Sequence, residues 1–301
     1  MLSNRYILLL TTAVAPVLWG TTYLTTTLFL PADRPLLAAT LRALPAGILL
    51  LVIVRRLPRG SWWWKSWVLG VLNIGAFFAL LFVAAYRLPG GTAAIIGGIQ
   101  PLIIALLASR VLHERMTPRV FAAGFAGLLG VSLIVLQARA ALDGWGLLAA
   151  FGGAVSMAVG LVLAKKWGQP ASPTATTAWQ LIAGGLTLLI LLLAFEGLPA
   201  EPLTLSNLGG YAYLSVLGTA VAYVLWFRGI ARLPANRIGF LGLLSPVAAI
   251  LLGWAVAGEV LTPVQLVGVV VVLASVATGA MLKAAAPSAS PAPARAQSLR
   301  T

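Results

Sequence analysis

Residues 89–118 read PGGTAAIIGGIQPLIIALLASRVLHERMTP, and residues 234–263 read PANRIGFLGLLSPVAAILLGWAVAGEVLTP. Laid over one another without gaps, at an offset of 145 residues, they set Pro89 on Pro234, Gly97 on Gly242 and Pro101 on Pro246. Further along, Glu114 meets Glu259, Thr117 meets Thr262 and Pro118 meets Pro263. Leucine-rich stretches coincide by chance, but six Gly, Pro, Glu and Thr identities in one register mark an internal repeat. A second, weaker alignment at an offset of 138 sets Arg42 on Gln180 and Gly47 on Gly185, carrying the repeat back toward the N-terminus.

What surrounds these stretches decides the fold class. Hydrophobic residues make up 60% of the chain and charged residues 9%, where a soluble domain runs at roughly 45–50% and 25%. A water-facing surface cannot absorb that surplus, and apolar runs of about 20 residues, the length that crosses a bilayer, recur nearly end to end. Breaks at Pro, Gly and charge clusters divide the chain into an all-α membrane protein of ten predicted transmembrane helices. These are 6–29, 35–54, 66–86, 92–112, 119–137, 145–165, 174–194, 207–229, 235–257 and 262–282. The first run contains Pro16 and is too long for the apolar core of a signal peptide, so it reads as a retained helix. Residues 1–137 then form a first five-helix repeat and 138–283 a second, while 284–301, rich in Ala, Pro and Ser, read as a disordered tail.

An odd number of helices per unit forces the second copy to enter the membrane from the opposite side, the inverted plan of many secondary transporters. The loops agree. The turn after the fourth run carries Arg110, Arg115 and Arg119, while its repeat partner, 258–264, has no basic residue. The turn after the third run has Arg87, and its partner after the eighth has Arg228, Arg232 and Arg237. Over the whole chain, alternate sides receive 16 and 3 of the 20 Lys and Arg residues, with Arg42 left inside a helix. The positive-inside rule then puts both termini in the cytoplasm. The net charge of +14 is thus topological and implies no nucleic-acid partner. Trp62, Trp63, Trp64 and Trp67, beside Lys65, fit an interfacial belt.

Enzyme chemistry finds little to work with. There is no cysteine, the sole histidine, His113, falls in a predicted turn, and no metal-ligand cluster or paired acidic motif is legible, so no cofactor and no metal are expected. The six acids, Asp33, Glu114, Asp143, Glu196, Glu201 and Glu259, all fall in predicted loops or at helix ends. A carboxylate at mid-membrane is what a proton-driven cation carrier usually needs, so a neutral or zwitterionic substrate is expected. A channel is the rival reading, disfavoured by the lack of a charged ring or filter-like loop.

Pro101 and Pro246 lie about ten residues into their runs and withdraw the hydrogen bond from the carbonyls of Gly97 and Gly242. A matched kink in both halves points to a midplane binding site, though a kink used only for packing reads the same way. Gln100 and Ser245, next to the prolines, are the first candidates for substrate hydrogen bonds. Intramembrane aromatics supply candidate walls for a planar ligand: Trp19 and Tyr23, Phe77 and Phe78, Trp179, Tyr223 and Trp226. Asn73 and Gln180 are amides that must find partners or line a wet cavity. Arg42 suits a substrate carboxylate, or else it snorkels or binds backbone carbonyls for stability. Thr117-Pro118 and Thr262-Pro263 need no function, since Thr as N-cap and Pro at the first helical position start helices.

With Trp19-Gly20, Arg42, Leu88-Pro89 and the Gly-Glu-x-x-Thr-Pro of 258–263 in place, the chain up to its tail resembles the drug/metabolite transporter superfamily, EamA type. Within that group its overall sequence is most similar to the bacterial aromatic amino-acid exporters of the YddG type. The resemblance implies a ten-helix exporter in the bacterial inner membrane for amino acids, aromatic ones included, or related metabolites, and we expect a monomer-competent carrier whose halves rock by alternating access. A carrier or channel for another neutral metabolite or a drug-like compound is the alternative. Helices one, three, four, six, eight and nine are expected to line the cavity, with the lipid bilayer and the substrate as the only partners.

Overall fold

The computed structural model describes residues 2–87, 96–114, 116–135, 143–199, 201–258 and 260–281, and the regular structure among them is helical, with no strand. The helices are α1 (Leu2–Phe29), α2 (Pro35–Val54), α3 (62–87), α4 (Gln100–Val111) and α5 (Pro118–Val135). They continue with α6 (Gly144–Trp167), α7 (Pro173–Glu196), α8 (Leu205–Arg232), α9 (235–257) and α10 (Pro263–Met281). Eight of these are long and apolar enough to cross a membrane, and α4 and α5 are shorter apolar helices. The first residues of the fourth predicted run, Arg139 and the tail lie outside the described residues.

Local chemistry sets the starts. Asp143 caps α6, accepting from the N–H groups of Trp145 (2.7 Å) and Gly146 (3.1 Å). The Gly146 N–H, with Trp145 and Arg87 adding to it, holds the Asp143 carboxyl below its ordinary range against some desolvation. Ser172 caps α7 ahead of Pro173, and Thr204 forms a capping box with Asn207 at α8. The two Thr-Pro pairs behave alike: Thr117 accepts from Val120 N–H and Thr262 from Gln265 N–H, each at 3.3 Å. At the other end of α9, Gly258 takes a left-handed φ of 70° and its N–H closes on the Gly253 carbonyl.

Two departures from regular helix recur at the repeat offset. α3 passes through a π-helical turn at Val71–Gly75 and α8 through one at Val216–Val221, 145 residues on. α4 and α9 are each interrupted, at 98–99 and at Leu243, just ahead of their prolines. A third π turn, Leu192–Glu196, ends α7.

Packing pairs α2 with α7, α5 with α10, α3 with α6, and α1 with both α8 and α9. Small residues allow the close crossings: Gly70 and Gly184 bring α3 onto α7, Gly130 and Gly268 bring α5 onto α10, and Gly20 brings α1 onto α9 at Ser245 and Ala248. Contacts between helix ends sort them into two sets. At one, Lys165 donates to the carbonyls of Ile230 and Leu233, and Trp179 donates to that of Arg56. Glu114 accepts there from the N–H groups of Ala235 (2.9 Å) and Asn236. Glu114 therefore caps α9 across the bundle. Lys65 lies over Trp62, Trp64 and Trp167 at the same end, with Trp63, Trp64 and Trp67 exposed. At the other end, Glu196 holds Arg34 and the first N–H groups of α2, and Arg87 pairs with Asp143. This assigns the basic clusters to one end of the bundle.

Candidate functional site

Four rings meet in the interior. Trp19 of α1 stands 5.0 Å from both Tyr223 and Trp226 of α8, and Phe78 of α3 meets Tyr223 edge-on at 6.3 Å. Phe77 extends the group, tilted 5.6 Å from Phe78. Phe78, Tyr223 and Trp226 are buried, while Trp19 keeps part of its surface free. Its indole N–H is shut from solvent and has no hydrogen-bond partner, and the same is true of the Thr22 hydroxyl one turn on. Both are unmet polar groups of the kind a fold ordinarily satisfies.

Arg42 joins this group from α2, a helix not among those expected to line the cavity. Its guanidinium lies 4.6 Å from the centre of the Phe78 ring. Nε donates to the Thr219 hydroxyl (3.2 Å) and one terminal nitrogen to the Gly218 carbonyl (3.3 Å), both in the π turn of α8. The side chain neither snorkels nor meets a carboxylate among the described residues. A buried cation of this kind costs about 3 kcal/mol on insertion scales, of which a desolvated cation–π contact offsets about 2 kcal/mol.

Asn73 and Gln180 are used on each other. The Asn73 amide donates to Gln180 Oε1 at 3.0 Å, and Gln180 donates back to the Thr176 carbonyl. Gln180 also borders a cavity of about 140 Å³ shared with Lys165, Gln169 and Thr176. Trp179 is not brought to the ring group: its indole N–H donates at 2.7 Å to the Arg56 carbonyl and pins the end of α2. The side chain of Tyr23 lies outside the described residues.

Of the two helix breaks, the one in α9 reaches the rings. Nothing stands within 4 Å of where a Cβ on Gly97 would be, and Gly242 meets only the rim of Trp226, at 3.9 Å. Gln100 and Ser245 are half-buried beside the breaks, with the Ser245 carbonyl against Gly20. On the far side, Gly239 of α9 packs directly on Pro101 and Ile104 of α4. A polar contact at this position is tested by Gln100→Leu, which keeps the bulk and removes the amide. Its half-saturation constant for transported substrate is expected to rise about tenfold, and an unchanged constant moves the site elsewhere.

Sequence reasoning missed Thr219 and Gly218. Thr219 has no distinguishing pattern in an apolar run, and the repeat offset that pairs it with Ile74 hides rather than reveals it. Among the described residues no three His, Asp or Glu side chains gather as a metal site.

Comparison with known proteins bears on what such a group serves. Residues 6–136 and 144–278 each match the EamA-like transporter family. Protein PecM of Dickeya dadantii (strain 3937) is 47% identical over 263 residues, covering 87% of this chain and 88% of that one. An uncharacterized transporter, sll0355, of Synechocystis sp. is 30% identical over 292 residues, covering 88% and 87%. The uncharacterized inner membrane transporter YedA of Escherichia coli (strain K12) is 28% identical over 259 residues, covering 83% and 82%. A solved crystal structure aligns at a TM-score of 0.79 with 21% identity, covering 91% of this chain and 96% of that one, which establishes a shared fold. High identity here belongs to PecM rather than to a YddG-type exporter.

Proposed function

This chain belongs to the EamA-like transporter family, and we propose that it exports small neutral or zwitterionic metabolites, aromatic amino acids among them, across a bacterial inner membrane. It is a multi-pass membrane transporter and not an enzyme. In the proposal, its ten helices form two inverted five-helix halves, 1–137 and 138–283, with both termini cytoplasmic. The halves rock about a central site, and the protein works as a monomer.

The observation that carries this reading is the pair of helix breaks, at 98–99 and Leu243, set at one repeat register, the second of them next to Trp226 of the ring group. Interrupted helices in corresponding places of two halves are how secondary transporters present backbone groups to a substrate. The rings suit a planar ligand by offset or edge stacking. The matching pattern of helix pairs supports the inversion: α3 with α6 and α8 with α1, α4 with α6 and α9 with α1. The basic clusters gathered at one end of the bundle support the orientation.

Energy coupling follows from the acids. Glu114 and Glu196 are spent as helix caps, Asp143 is a cap and an ion-pair partner, and Asp33 and Glu201 are exposed. With no carboxylate at mid-membrane among the described residues to exchange a proton for substrate, transport runs down the substrate's own gradient or by exchange. The test is uptake of labelled phenylalanine or tryptophan by the purified protein in liposomes, at zero membrane potential, with and without an imposed pH gradient. Saturable uptake that the gradient leaves unchanged is the expected result. Uphill accumulation driven by the gradient, and abolished when Glu114 and Glu259 are both changed to Gln, overturns it.

A further inference from the structure

Two of the polar contacts between helices, one at each of the equivalent π turns, are twins with one difference. In the first half the π turn of α3 is held to α7 by Asn73 and Gln180, an amide on an amide. In the second half the π turn of α8 is held to α2 by Thr219 and Gly218 on Arg42. Arg42 and Gln180 occupy equivalent places at the offset of 138, and the two π turns are equivalent at 145. Holding a π turn therefore takes only a neutral side chain, as Gln180 demonstrates. The charge of Arg42 exceeds that need.

Its remaining donors are also in excess. A guanidinium carries five N–H groups, and the two bonds to α8 leave most of them unused. No carboxylate among the described residues balances the charge, although the side chain is 5% exposed. Further along the chain of rings, past Phe78 and Tyr223, the Trp19 N–H is shut from solvent without a partner, as is the hydroxyl of Thr22 on the same helix. The Trp19 N–H and the spare guanidinium N–H groups can only donate, one of these groups is a full cation, and among the described residues no acid stands by to receive an ammonium.

We propose that Arg42 is the carboxylate-recognising residue of the substrate site, and that the site reads a ring and a carboxylate while leaving an amino group unread. This rests on the family reading above and extends its substrate class from neutral and zwitterionic compounds to monocarboxylate anions: aromatic monocarboxylates lacking an amine bind as well as aromatic amino acids, and the corresponding amines are rejected. The carboxylate supplies the missing counter-charge and accepts the unused guanidinium donors, a charge-assisted pairing far stronger than a neutral one. The ring stacks along Phe78, Tyr223 and Trp19.

The test is ligand binding to the full-length protein in nanodiscs, measured by competition against labelled phenylalanine. The competitors are 3-phenylpropionate, phenethylamine and 2-phenylethanol. Wild type is expected to bind phenylalanine and 3-phenylpropionate within a few-fold of each other and phenethylamine at least tenfold more weakly. Arg42→Gln, which copies the twin contact of the first half, is expected to keep its thermal midpoint near wild type. It should lose 3-phenylpropionate affinity by about tenfold or more while retaining 2-phenylethanol. Thr219→Val removes the contact's hydroxyl and leaves the charge, and should lower the midpoint while preserving the carboxylate preference. The wild-type ranking decides by itself should Arg42→Gln fold poorly: a preference for phenethylamine, or an equal grip on amine and carboxylate, overturns the proposal. So does a folded Arg42→Gln that still selects carboxylates. If wild type binds none of the four compounds, the aromatic-metabolite reading fails along with it.

Discussion

Replacing Gly268 by leucine should cost the protein its fold. α5 and α10 cross at Gly130 and Gly268, and each glycine faces the other's backbone: a Cβ on Gly268 would lie 2.8 Å from the Gly130 carbonyl oxygen and 2.8 Å from the Ile134 nitrogen. A Cβ on Gly130 would in turn meet the Val272 nitrogen at 2.9 Å and the Gly268 oxygen at 3.0 Å. Backbone atoms of two helices cannot swing aside as a side-chain tip can. Within a bilayer, moreover, helices associate by close packing rather than by escape from water, so the loss of contact is not offset elsewhere. Overpacking by one methylene already costs about 1–3 kcal/mol, and leucine adds four carbons. The measurement is the monodisperse fraction in size-exclusion chromatography together with the thermal midpoint. Gly209→Ala is the control, because no atom lies within 4 Å of the added carbon and the residue is exposed on α8; its midpoint should hold or rise slightly. A Gly268→Leu protein with a wild-type midpoint would refute the crossing.

That crossing was half-visible in the sequence. Gly130 and Gly268 stand 138 residues apart, the same offset that aligns Arg42 with Gln180, yet glycines are so common in membrane helices that the pair carries no weight alone. What sequence does convey is punctuation. The Thr-Pro starts of α5 and α10 and the prolines behind the two helix breaks report local rules, and each is found where those rules put it. What it conveys poorly is facing. Trp19 and Trp179 look alike as aromatics in apolar runs, but one joins a ring group and the other bonds the Arg56 carbonyl. The π turns are the clearest omission. Neither VLNIG nor VLGTAV departs from an ordinary apolar stretch, because the extra residue per turn is settled by what each helix packs against. The bond from Arg42 to Thr219 spans 177 residues and is therefore invisible to any periodicity. Glu114 was legible as a helix-end acid, but the helix it caps, α9, begins 121 residues later.

Pro101→Ala and Pro246→Ala should each lower transport at least tenfold, and the double variant further, while leaving the protein as stable or more so. The two readouts move in opposite directions because proline acts on them through the same bond. In α4 the helix is interrupted at 98–99 and restarts at Gln100; in α9 it is interrupted at Leu243 and restarts at Leu244. Proline has no N–H to give the carbonyl four residues back, which belongs to Gly97 in one half and Gly242 in the other. Alanine restores that N–H and removes the ring that forces the chain aside, a change worth about 3 kcal/mol in favour of continuous helix. Straightening α4 swings its first turns relative to the segment that packs Pro101 and Ile104 against Gly239, and straightening α9 does the same to the wall beside Trp226. In the proposed carrier both covered carbonyls are then lost to a substrate, and the hinge on which its halves would rock is stiffened. Initial uptake rates in liposomes, set beside thermal midpoints of the same preparations, distinguish this from misfolding: a slow transporter with an undiminished midpoint has lost its hinge, not its fold. Wild-type rates in both single variants would show that the breaks serve packing alone.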